Sequence, residues 1–273
     1  MTWLTETDPP YRDLESWDTT ALLYAMNDED QKVALAVREA IPAIAAFVEA
    51  LVMRRRKGGR LFYVGSGTSG RLGVLDAAEC QPTFGATPDE VIGLIAGGPA
   101  ALSGPIEAAE DNVEAAQADL SAHHLRVEDT VFAISASGRT PYAIGAITYA
   151  KQVGALTGAF SANPDAPLLK IVDYPILVVT GPEFITGSTR LKAGTATKLV
   201  LNMISTAMYV RLGRVRGTRM IDLQLVNQKL WNRAIRYLCE YAGLSSEEAS
   251  ARLRAAGTLR KALEELEKEH KDR

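Results

Sequence analysis

Histidine and cysteine are scarce in this chain. Of 273 residues, three are histidine and two are cysteine, and each scarcity excludes a class of chemistry. His123 and His124 are adjacent where a helix is expected to end, and His270 stands alone near the C-terminus. Neither a Ser-His-Asp triad nor a histidine metal site is therefore expected. Cys80 and Cys239 lie far apart without metal-ligand or redox spacing, which fits a reducing compartment and no disulfide framework. An excess of one charge is missing too. Thirty Lys and Arg stand against 33 Asp and Glu, a net charge of −3, so neither nucleic acid nor an acidic membrane surface is an expected partner. No apolar run reaches the roughly 18 to 20 residues that span a bilayer. The opening MTWLTETDPPYRDLE lacks the basic-then-apolar order of a signal peptide. The expected location is the cytoplasm. There is no GxxxxGK[ST] loop for a nucleoside triphosphate, no solenoid repeat and no low-complexity linker.

What is present is ordinary globular composition, 47% hydrophobic and 23% charged, enough for one large domain with helical additions. Residues 1–27 read as a polar arm without a core of its own. From Asp28 to Lys57 the residues Val33, Val37, Ile41, Ile44, Phe47, Val48 and Leu51 follow the helical period. Pro42 marks a break between two helices, and Gly58-Gly59 closes the segment. Strands and helices then alternate. Strands are expected at 61–64, 91–96, 131–135, 155–160 and 174–179, with helices at 70–80, 106–120 and 142–152. This order predicts an α/β fold, a three-layer α/β/α sandwich on a five-stranded parallel sheet. Residues 28–221 form that domain, and 222–273 form a C-terminal helical region in which Ser245 and Glu248 read as a capping box.

Ligands of such sheets bind at the carboxyl ends of the strands. Two loops there look alike. Gly65-Ser66-Gly67-Thr68-Ser69-Gly70 follows the first strand, and Ser135-Ala136-Ser137-Gly138-Arg139-Thr140 follows the third. Each offers small hydroxyls and glycine before a helix start, where an anion is favoured, although glycine and serine also make simple tight turns. Gly65, Gly67 and Gly70 match the dinucleotide fingerprint only weakly, because Glu90, at the right distance for the ribose acid, precedes the second strand. A third loop, residues 181–195, is rich in hydroxyls and carries Arg190 and Lys192 to a helix start. Glu79 shares a helix face with Leu72 and Leu75, which reads as a buried acid, either paired or in use. Glu107, Glu110, Asp111 and Glu114 cluster early in the next helix, and spacing alone selects none of them.

GPEFITGSTRLKAGTATK (181–198), GSGTSGRLGVLDAAECQPTFG (65–85), ISASGRTPYAIGA (134–146) and NDEDQKVALAV (27–37) resemble the phosphosugar-binding, or sugar isomerase, domain. More closely they resemble the N-acetylmuramic acid 6-phosphate etherases, whose 181–198 signature is shared with the glucokinase regulatory protein. The likeness runs from about residue 27 to about 229. The resemblance implies a flavodoxin-like sheet, a homodimer, a small sugar-phosphate substrate, and no metal or other cofactor. It implies cleavage of a lactyl ether by two carboxylates: Glu110 takes the carbon-2 proton and Glu79 assists lactate departure, its pKa raised by burial. It assigns Ser66, Thr68, Ser69, Ser135, Ser137, Gly138 and Thr140 to phosphate and sugar, with Ser188, Arg190 and Lys192 near the lactyl carboxylate or sugar. A sugar-phosphate-binding regulatory module and a sugar-phosphate isomerase are the alternatives. The chain departs from the family's pattern after Thr5-Glu6, where Thr7-Asp8-Pro9-Pro10 replaces an asparagine and a serine.

Overall fold

Five short apolar segments, none with a polar alternation, build the sheet. The computed structural model describes residues 3–106 and 108–271, so Glu107 lies outside the described residues, and so does the side chain of His270. The strands are β1 (Leu61–Gly65), β2 (Val91–Ile95), β3 (Thr130–Ile134), β4 (Leu156–Ser161) and β5 (Tyr174–Leu177). All pair in parallel in the order β2-β1-β3-β4-β5. The central strands β1, β3 and β4 are buried throughout, as strands covered on both faces must be.

The chain divides into two compact units, Met1–Ala78 with Pro88–Met208, and Glu79–Thr87 with Tyr209–Arg273. The first holds the sheet, with α1 (Thr19–Glu39) and α2 (Ile41–Arg56) ahead of it. The helical pattern breaks at Ala40, and Pro42 falls in the first turn of α2, where its missing N–H costs nothing. On one face of the sheet, Phe62, Val64, Val131 and Ala133 pack with Leu120 of α4 (Val113–Ala122) and with Tyr142 and Ala146 of α5 (Pro141–Val153). On the other, Phe47 of α2 lies 4.9 Å from the Phe132 ring. There too α3 (Gly67–Phe84) presses in so closely that a side chain on Gly73 would meet Tyr63. Helices cover both faces, giving the three layers expected.

Two expectations need correction. The helix expected at 106–120 begins only at Val113, because Asn112 caps it by accepting from the Ala115 N–H at 2.9 Å. Residues 109–111 form a 3₁₀ turn instead, and Ile106 and Val113 are exposed rather than on an apolar stripe. The face shared by Leu75 and Glu79 is not buried in the single chain: Leu75 is 43% exposed and Glu79 is exposed. The burial expected to shift Glu79 is thus absent from the chain taken alone. The helix start expected at Lys192 is present as α7 (Lys192–Arg211), although Met203 and Val210 on it are exposed. The short helix α6 (Pro167–Lys170), between β4 and β5, had no counterpart in the expected pattern.

The second unit has its own core. After the hairpin β6 (Val215–Arg216) and β7 (Arg219–Met220) come α8 (Gln228–Ala242), α9 (Ser246–Ala256) and α10 (Leu259–Lys271). Ala234, Leu238, Leu253, Leu263 and Leu266 bury against one another. The capping box at the start of α9 is present, with Ser245 Oγ accepting from the Glu248 N–H and Glu248 accepting from the Ser245 N–H. Among the described residues no helix is long and apolar enough to cross a membrane.

Candidate active site

The loop after β1 is tight because two glycines let it be. A side chain on Gly65 would meet the Gly70 N–H at 2.9 Å, and one on Gly70 would meet the Gly65 carbonyl at 2.6 Å. The chain thereby turns at once from β1 into α3, and Gly67, Thr68 and Ser69 become the helix's first residues. Their N–H groups precede the first intrahelical partner. The loop after β3 is held by its own hydroxyls. Ser135 is buried, its Oγ lies 2.9 Å from Thr140 Oγ1 and 3.3 Å from Ser137 Oγ, and it accepts from the Gly138 N–H at 3.0 Å.

β1 and β3 are neighbours, so both loops open on one cleft of about 540 Å³. Ser66, Thr68, Ser69, Ser135, Ser137 and Thr140 all line it, and so does Glu110. Gly138 does not; it is buried and shapes the loop. Glu110 reaches the cleft from the 3₁₀ turn ahead of α4, and its Oε2 accepts a hydrogen bond from Ser66 Oγ at 3.1 Å. A smaller cavity of about 250 Å³ shares Ser66, Gly67 and Glu110 with it. Arg71, in the first turns of α3, donates to the carbonyls of Leu102 and Gly104, both at 3.1 Å. It thus holds the segment leading toward Glu110 rather than pointing at the cleft.

The third loop is a different case. Its helix start is already occupied by a carboxylate. Glu183 is buried and accepts from the Lys192 N–H at 2.8 Å and the Ala193 N–H at 3.0 Å, the first donors of α7. Burial pushes the Glu183 carboxyl up despite those two hydrogen bonds. The first two donors of the helix are thereby taken by an internal carboxylate. Lys192 is 2% exposed, and its ammonium lies 2.5 Å from Glu29 of α1. Burial alone would raise Glu29, but hydrogen bonds from Lys192, Lys32 and Tyr11 outweigh it and hold its pKa at about 2. The Lys192 ammonium, expected at the substrate, is therefore taken up by an internal ion pair. Arg190 is exposed, Ser188 is half-buried, and neither lines the cleft. Nor does Glu79, which lies further along α3 on its exposed side.

The cleft also contains residues that the motifs did not single out: Glu6, Asp111, Arg139, Gly187 and Thr189. Arg139 and Thr189 sit inside the quoted motifs and could have been read from them. Glu6 comes from the N-terminal arm, and no spacing rule connects it to the loops. Among the described residues no group of three or more His, Cys, Asp or Glu is disposed to hold a metal ion.

A five-stranded parallel sheet with paired hydroxyl-rich loops at neighbouring strand ends defines a protein of the sugar isomerase (SIS) class. Residues 43–151 match the glucokinase regulatory protein N-terminal SIS domain. A phosphoheptose isomerase from Neisseria gonorrhoeae superposes with a TM-score of 0.53 at 13% identity, over 70% of this chain and 98% of its own. That likeness shows the fold alone. Relatives closer in sequence narrow the class. An N-acetylmuramic acid 6-phosphate etherase of Porphyromonas gingivalis is 51% identical over 263 residues, 96% of each chain. One of Bacteroides thetaiotaomicron is 49% identical over 261 residues, 96% of this chain and 94% of its own. The chain belongs to the N-acetylmuramic acid 6-phosphate etherase family.

Proposed function

We propose that the protein is a carbon–oxygen lyase. It cleaves the D-lactyl ether of N-acetylmuramic acid 6-phosphate to N-acetylglucosamine 6-phosphate and D-lactate, in the recycling of cell-wall amino sugars. The observation that carries this reading is identity of about half, over nearly the whole chain, to proteins of that name. The regulatory-module alternative rests on the match over residues 43–151, and the near-full-length relatives do not favour it.

The cleft's chemistry suits the reaction. The phosphate sits against the hydroxyls of Ser66, Thr68, Ser69, Ser135, Ser137 and Thr140, with the N-termini of α3 and α5 behind them. In the open-chain sugar the aldehyde acidifies the proton on carbon 2. The Glu110 carboxylate removes that proton, and its hydrogen bond from Ser66 orients it for the task. The electron pair forms the carbon 2–carbon 3 double bond as the carbon 3–oxygen bond to lactate breaks. The acid that protonates the departing ether oxygen is assigned to Glu79 by the family resemblance alone, since Glu79 does not line the cleft of the single chain. Water then adds at carbon 3 of the unsaturated aldehyde and carbon 2 is reprotonated, so atoms and charge balance without an external oxidant or reductant. The resemblance also assigns Ser188, Arg190 and Lys192 to the substrate, but the first two lie outside the cleft and the third is paired with Glu29, so no step of this reading rests on them.

A homodimer is part of the same reading. It rests on the family resemblance. A cytoplasmic location is part of the same reading. The deciding experiment measures D-lactate released from N-acetylmuramic acid 6-phosphate by wild type, Glu79→Gln and Glu110→Gln. Release by wild type and its collapse in both variants is expected. No release, with tight binding of the sugar phosphate, would move the assignment to a regulatory module.

A further inference from the structure

The polar arm ahead of α1 has no core of its own, yet the first unit holds it firmly. Thr5 is fully buried. Its N–H donates to Asn163 Oδ1 at 3.2 Å, its Oγ1 accepts from Asn163 Nδ2 at 3.1 Å, and its carbonyl accepts from the Gly187 N–H at 3.1 Å. Asn163 Nδ2 also donates to the Ala136 carbonyl at 2.9 Å. One residue thereby ties the arm to the end of β4, to the loop after β3 and to the loop before α7. Two residues earlier, Trp3 lies under the Arg139 guanidinium, 4.8 Å from it.

Clamping Thr5 delivers Glu6 to the cleft, where it is a lining residue beside Gly187 and Thr189. The place its carboxylate takes is kept clear by a glycine. Gly187 has φ +73°, and a side chain there would begin 2.8 Å from Glu6 Oε2. This acid is not part of the two-glutamate chemistry, and a carboxylate in an anion-binding cleft needs a reason, since like charges repel. The substrate offers one. It is anionic at both ends, phosphate and lactyl carboxylate, and between them lie only neutral donors, its hydroxyls and an amide N–H. A carboxylate accepts from such donors and rejects both anionic ends.

We propose that Glu6 is a specificity-determining residue: it accepts a hydrogen bond from a hydroxyl or amide N–H of the sugar, and its charge bars phosphate from the arm's end of the cleft. The phosphate is thereby directed to the hydroxyl loops at the starts of α3 and α5. This rests on the sugar-phosphate reading above, so its test uses a separate readout. Binding of N-acetylglucosamine 6-phosphate and of inorganic phosphate is measured by calorimetry for wild type, Glu6→Gln and Glu6→Ala, with melting temperatures alongside. Loss of a hydrogen bond to a charged group should weaken the sugar phosphate about tenfold. Inorganic phosphate should bind a few-fold tighter in both variants, because the repelling charge is gone. Melting temperatures should hold, since the Thr5 and Asn163 bonds do not involve the Glu6 side chain. An unchanged ratio of the two affinities overturns the proposal. So does a parallel loss of both affinities with a lowered melting temperature, which marks a merely structural acid. D-lactate release by wild type judges the lyase reading independently of that ratio.

Discussion

The Ser66 hydroxyl donates to the Glu110 carboxylate across 3.1 Å, joining the loop after β1 to the turn ahead of α4. Spacing within the acidic cluster could not select Glu110 from its neighbours; this contact does. Glu110→Gln should lower D-lactate release by about 10²- to 10⁴-fold, the usual contribution of a positioned general base. Exchange of the carbon-2 proton with solvent deuterium should vanish with it. Ser66→Ala removes a hydrogen bond to a charged group and should cost about tenfold or more in kcat/KM.

Glu79→Gln should separate the two half-reactions. Lactate release falls, while carbon-2 exchange, followed by NMR in deuterium oxide, continues. Loss of exchange as well would reassign Glu79 to proton abstraction.

Glu29 and Lys192 make a prediction about stability rather than turnover. Lys192→Met leaves the Glu29 carboxylate in a largely buried site without its main partner. Breaking a buried pair on one side costs about 3–5 kcal/mol, read as a fall in the denaturation midpoint. The pH dependence has a definite sign. Glu29 is held at about 2, below its usual 4.5, so its stabilisation is complete above pH 4.5 and drains away as pH falls toward 2. Glu29→Gln should flatten acid unfolding in that window.

Asp76 works in the opposite direction. This carboxyl on α3 is 5% exposed, and burial pushes its pKa up to about 6 against hydrogen bonds from Ser205 and Tyr63. The unfolded chain then ionises before the folded one. Stability from this group is fully present below pH 3.8 and is lost as pH rises through about 6. Asp76→Asn should remove that slope, raising stability at pH 7 by about 2–3 kcal/mol in urea titrations.

Glu183 caps α7 through two N–H groups. Glu183→Ala should destabilise the fold by about 1–2 kcal/mol, visible as early hydrogen exchange at Lys192 and Ala193.

Much of the fold could be read from residue order because it rests on local rules. The uninterrupted apolar stretches at 61–64 and 131–134 have one economical use, a strand covered on both faces. Glycine and hydroxyl clusters directly after them mark the turns where such sheets bind ligands. Failures came where a local signal had a competitor. Asn112 capped a helix that the apolar spacing had started at Ile106. Leu75 and Glu79 share a face by periodicity, but periodicity does not say whether that face meets the core, solvent or another chain.

The sequence by itself determined the α/β class, the two hydroxyl loops at neighbouring strand ends and, through its long motifs, the etherase family. These follow from periodicity and turn chemistry, which act between residues close in the chain. Only the tertiary structure decided which charges face the cleft. Lys192 looked like a substrate ligand until folding set it against Glu29, and the start of α7 looked like an anion site until Glu183 filled it. Glu6 looked like part of a loose arm until Thr5 and Asn163 held it beside Gly187. A buried charge needs an opposite charge or a donor wherever the fold brings one, and that partner can be any distance away in sequence.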